Sequence, residues 1–124
     1  MEKKVIFSAS YYTQKYYSNP EFDGIPTAIR NEIRMICIAL AEKLHAIFTI
    51  GFYEDGEVYF EARAEESDYD FDEIGVPLEI KRLESEQSEL IKMLRLWYKI
   101  YKTPEGEVLK ETILKETEKR KNSN

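Results

Sequence analysis

Residues 76–101 place core-type positions at an unbroken 4-3 spacing: Val76, Ile80, Leu83, Gln87, Leu90, Leu94, Trp97 and Tyr101. Seven of the eight are apolar, which is the pattern of a helix with one buried seam. The seam changes character halfway. From Leu90 to Tyr101 nine of twelve residues are apolar, and the polar side shrinks to a basic line at Lys92, Arg95, Lys99 and Lys102. A helix that is apolar on most sides must be covered on most sides. In a chain of 124 residues that cover comes from the centre of one domain or from a second copy. The seam spans barely three heptads, too few for a sustained coiled coil. We therefore expect the first half to lie on its own domain. The second half is expected to form a homodimer surface made by Leu90, Leu94, Trp97, Tyr98 and Tyr101, with Lys92, Arg95 and Lys99 beside it.

The basic line needs counter-charge, because like charges three and four apart on a helix repel. The net charge is −6, and residues 54–73 hold ten acids against the single base Arg63. That segment is the expected counter-charge, in cis or from the second copy. A chain this acidic is a poor binder of nucleic acid, which requires phosphate neutralisation. The N-terminus carries too short an apolar run for a signal peptide, and nothing approaches a membrane span. With one cysteine no internal disulfide can form, and a cytoplasmic location is expected.

Residues 26–44 read as a helix. Pro26 suits its start, and Ile29, Ile33, Ile36, Leu40 and Leu44 form its buried stripe. Residues 46–64 read as a β-hairpin around Glu54-Asp55-Gly56. A two-residue turn would split the apolar residues between two faces. A three-residue loop with left-handed Gly56 pairs Phe52 with Val58, Ile50 with Phe60 and Phe48 with Ala62, all on one face. A lone hairpin is marginal, so helices must cover that face or another strand must join its edge. Residues 4–17 carry two signals. Val5 and Phe7 alternate as in a strand, whereas Ala9, Tyr12 and Tyr16 fit a helical face, and a short helix around 8–17 is the expectation. The expected order is helix, helix, hairpin, long helix: a single α+β domain over 1–106, with a weakly ordered helix and tail over 107–124.

No catalytic set is apparent. His45 is the single histidine, and Cys37 adjoins the apolar stripe, which suits a buried structural thiol. One Cys and one His cannot close a zinc site. Asp68, Asp70, Asp72 and Glu79 have the spacing of calcium-loop positions 1, 3, 5 and 12. Glu73 stands where that loop needs glycine, and Pro77 falls inside it, so a solvated acidic connector is the preferred reading. No glycine-rich phosphate cradle occurs. Neither a cofactor nor a metal is expected.

Tyr16-Tyr17, Phe22, Ile25-Pro26, Ile29 and Glu32, the acidic hairpin turn, and Asp72-Glu73-Ile74-Gly75 before a charged helix ending in aromatics form a combination. Over roughly residues 4–102 it resembles a family of short bacterial proteins grouped only as a domain of unknown function. That resemblance implies a cytoplasmic protein and supplies no activity. The expected function is a non-catalytic protein-interaction or regulatory module. The alternative is a binder of anionic metabolites, using the tyrosine-rich segment and the basic line as one pocket.

Overall fold

A computed structural model describes residues 2–65, 68–108, 110–112 and 115. Its centre is a four-stranded antiparallel sheet of order β2-β1-β3-β4. The strands are β1 (Lys3–Ser10), β2 (Tyr16–Ser18), β3 (Ile47–Tyr53) and β4 (Val58–Arg63). Helix α1 (Thr27–Leu44) packs on β1 and β3. Helices α2 (Gly75–Glu86) and α3 (Ser88–Lys102) both pack on β4. A short 3-10 turn at Pro20–Phe22 inserts Phe22 into the core.

The hairpin register is the one its apolar parity requires: Phe52 pairs with Val58, Ile50 with Phe60 and Phe48 with Ala62. Gly56 takes φ +88 at the loop, as expected of the residue closing a three-residue turn. A methyl group there would also meet the Tyr98 ring at 2.6 Å, so that position excludes side chains twice over. Phe48, Ile50 and Phe52 are fully buried against the helices.

The third strand is β1, and it corrects the expected helix at 8–17. Strand β3 offers an unpaired edge, and β1 satisfies it with pairs running from Lys3↔Tyr53 to Ser10↔Ile47. A bulge between Val5 and Phe7 lets both Ile6 and Phe7 enter the core. Ser10 then reverses the chain. Its Oγ accepts the Tyr12 and Thr13 backbone N–H groups at 3.2 and 3.3 Å, and its carbonyl accepts that of Gln14. The helical spacing of Ala9, Tyr12 and Tyr16 is therefore incidental: Ala9 and Tyr16 face each other across β1 and β2.

The second correction concerns the long helix, which breaks at Gln87 (φ −107, ψ 28) into α2 and α3. A continuous helix over 76–101 would run about 39 Å. The seven-residue strand β3 spans only about 23 Å, so a straight helix would overshoot the sheet. Breaking at the one polar residue of the seam lets Leu83 and Leu90 both reach the core. Pro77 is the third residue of α2, where a missing N–H is tolerated. After Pro104, residues 104–108 and 110–112 are helical, and most of the expected tail lies outside the described residues.

Helix α1 buries Ile29, Ile33, Cys37, Leu40, Ala41 and Leu44, while Ile36 is only partly covered. Cys37 has no exposure, and its Sγ lies 3.9 Å from the Phe7 carbonyl oxygen. Burial pushes this thiol well above the ordinary range.

Candidate functional site

The residues expected at a dimer surface divide into two sets on α3. Leu90, Leu94 and Trp97 are buried within their own domain. Trp97 lies 6.3 Å from Phe52 in a stack and 6.0 Å from Phe22 edge-on, and its indole N–H donates to the Gly24 carbonyl at 3.3 Å. Tyr98 is half-buried on the hairpin, with its hydroxyl donating to the Glu54 carbonyl at 2.8 Å. Tyr101 stacks on Trp97 at 5.4 Å yet stays exposed, with Lys110 Nζ 4.4 Å from its ring centre. The seam therefore points mainly inward. A second stripe, Glu89, Met93, Leu96 and Ile100, follows at i, i+4, i+7 and i+11 on the flank. Met93 and Leu96 are 49% and 55% exposed there. Neither was singled out by the seam spacing; the signal available in sequence was the nine-in-twelve apolar count, which needs a second apolar side.

The basic line finds its counter-charges separately. Arg95 pairs with Glu57 at 2.8 Å, among the described residues the one partner drawn from the acidic segment 54–73. Lys92 pairs with Glu89 at 3.6 Å, Lys99 with Glu105 at 3.8 Å and Lys102 with Glu21 at 3.6 Å. All four bases keep substantial exposure, so each pair contributes little to stability. Arg95 and Lys99 border a shallow depression with the hairpin tip, Tyr98 and Pro104, to which no residue of the tyrosine-rich segment contributes.

That segment lies elsewhere. The Tyr12 hydroxyl sits 2.9 Å from the His45 carbonyl and closer still to the Asp68 carboxylate. It also accepts the Glu65 backbone N–H at 3.2 Å. Tyr11 stacks on His45 at 4.4 Å, and His45 ends α1 in a left-handed conformation, φ 53. Hydrogen bonds from Tyr12 and from the Asp70 backbone N–H hold the Asp68 carboxyl below its ordinary range. Burial and the Asp68 contact push the Tyr12 phenol up. Tyr16 and Tyr17 are exposed on β2.

The acidic connector is tied to the domain at several points. The Asp72 backbone N–H donates to the Leu44 carbonyl, and Asp72 Oδ1 accepts the Gly75 N–H at 2.9 Å, in front of α2. Glu79, the residue at calcium-loop position 12, is buried on α2. Its carboxylate pairs with Lys43 of α1 and, through Oε2, with Arg82 Nη2 at 2.9 Å, the latter without hydrogen-bond geometry. Glu79 thus clamps α2 to α1. Among the described residues no three His, Cys, Asp or Glu side chains converge as a metal site. Among them, too, no helix is long and apolar enough to cross a membrane.

A groove of about 380 Å³ opens between β2 and the first half of α1. Ile6, Phe7, Phe22 and Ile33 line it, with Tyr16 and Arg34 at its rim. Arg30 and Arg34, four residues apart, are the charges facing it. In the sequence these two arginines lie off the buried stripe of α1, which is the one signal there that sets them apart.

No curated protein and no solved structure shows a significant match to the chain. A family model of unknown function matches residues 3–106 and covers every strand and helix from β1 to α3. The chain therefore belongs to that family of unknown function, DUF6145.

Proposed function

We propose that the chain is a non-catalytic cytoplasmic interaction module that works as a homodimer through the flank of α3. The observation that carries this reading is the exposed pair Met93 and Leu96, one turn apart beside a fully formed core. Charge along α3 favours a second copy as the occupant. The helix opens with Glu89 and closes with Lys99 and Lys102. When the two-fold axis lies perpendicular to α3 the two copies run antiparallel, so Met93 of one meets Leu96 of the other and Glu89 approaches the partner's basic end, the arrangement that the charges favour. The helix dipoles oppose in the favourable sense. One helix face is at the small end of specific interfaces, so association in the micromolar range is expected. The lone buried thiol suits a reducing compartment.

A charge exchange tests the arrangement. Glu89→Lys alone should weaken association severalfold, and adding Lys99→Glu should restore it, because each exchanged end then meets its complement. If the double variant associates no better than Glu89→Lys, the antiparallel arrangement is wrong.

A further inference from the structure

We propose that the groove between β2 and α1 binds a small flat organic oxyanion, an aryl carboxylate or aryl phosphate. This inference is independent of self-association, since no residue of α3 lines the groove. Three observations converge. The first is the Arg30 guanidinium. Its Nη1 lies 3.6 Å from Asp23, and Nη2 donates to the Thr27 hydroxyl at a long 3.4 Å. Its Nε is closed to solvent and has no acceptor. The weakly held Nη1 and Nη2 are therefore the groups that a bound oxyanion would engage. The second is Arg34, whose guanidinium lies over the Tyr16 ring at 5.3 Å. Among the described residues no carboxylate pairs with it. With a ring against it and no carboxylate, its N–H fork stays open to a carboxylate or phosphate, which an arginine matches in bidentate fashion. The third is the shape and lining. Phe7 and Tyr16 stack at 6.1 Å with 28° between their planes, and these two rings and Phe22 give the groove an aromatic lining. The volume is at the lower end for small-molecule sites, which suits one ring and its anionic group.

The first turn of α1 reinforces the charge. It carries no acidic residue, and no side chain caps it, so its positive end adds to the arginines. Thr27, Asn31 and Ser18 on the rim provide neutral hydrogen-bonding groups for a second substituent.

Benzoate and phenyl phosphate are the probes, benzamide is the neutral isostere, and inorganic phosphate is the ringless anion. Binding to the whole chain is read by calorimetry and by thermal shift at low salt. At least one aryl oxyanion should bind with a millimolar or tighter constant, and benzamide and inorganic phosphate should each bind at least tenfold more weakly. Arg34→Gln, at an exposed position, should fold normally by circular dichroism and weaken aryl-oxyanion binding at least tenfold. Preference for benzoate or for phenyl phosphate assigns the anionic group. Absence of binding by both aryl anions at millimolar concentration overturns the proposal. So does equal binding of benzamide, equal binding of inorganic phosphate, or an unchanged affinity in folded Arg34→Gln.

Discussion

Leu94 and Leu96 stand two positions apart on α3, and replacing each by alanine separates the two sides of that helix. Leu94 is 1% exposed, among the largest fully buried side chains. Its truncation removes the transfer energy of the lost carbons and leaves a cavity beneath a helix pinned by Trp97 and Tyr98. Comparable Leu→Ala changes cost about 3–4 kcal/mol. For a chain of this length each kcal/mol lowers Tm by roughly 3–6 °C. Leu94→Ala should therefore melt about 10–20 °C below the parent. Leu96 is 55% exposed, and in the monomer its truncation should cost under about 0.5 kcal/mol. Urea unfolding at submicromolar protein isolates the monomer. Trp97 is the single tryptophan and is buried between Phe22 and Phe52, so its fluorescence reports the loss of this core directly. Unchanged m-values are expected in both variants. If Leu96→Ala loses as much stability as Leu94→Ala, or Leu94→Ala loses under about 1 kcal/mol, the inward assignment of the seam fails.

Gly56→Ala should destabilise by about 1–2 kcal/mol in the same assay, because it strains a positive φ and drives a methyl into Tyr98; a neutral effect would refute the hairpin-tip packing. Cys37, buried with its thiol pKa pushed up, should resist iodoacetamide at neutral pH until the protein unfolds. Rapid labelling of the folded chain would contradict that burial. For Asp68 the folded carboxyl titrates below its ordinary value of 3.8. Its contribution is therefore complete above that value and disappears as the pH falls through the lower folded value. Asp68→Asn should flatten the acid limb of a stability-versus-pH curve, and an acid limb identical to the parent's would count against the Tyr12 contact.

Some of this was legible in the residues because a local rule sufficed. The parity of Phe48, Ile50 and Phe52 against Val58, Phe60 and Ala62 admits one loop length, and β3 and β4 adopt it. The stripe of α1 and the burial of Cys37 follow from helical spacing in the same way. Other features depend on what lies across the fold. Ala9, Tyr12 and Tyr16 satisfy a helical spacing, yet the unpaired edge of β3 takes up that segment as a strand. Gln87 looked like one polar residue in a continuous seam. The mismatch between a long helix and a short sheet, which spacing along the chain cannot show, turns it into a break. Leu90, Leu94 and Trp97 read correctly as residues to be covered, but periodicity cannot say by which chain, and the sheet of the same domain covers them. The two arginines of the groove acquire meaning only once β2 folds beside α1, because Tyr16 and Phe22 reach them from outside the helix.

Sedimentation equilibrium of the parent and of Met93→Glu/Leu96→Glu across micromolar concentrations addresses self-association most directly. Both substitutions fall on exposed positions, so the variant should keep its fold by circular dichroism and its Trp97 emission. The parent should move from 14.7 kDa towards twice that mass as concentration rises, while the double variant stays at 14.7 kDa. A parent that stays at 14.7 kDa throughout, or a folded double variant that associates as well as the parent, would contradict a homodimer through α3.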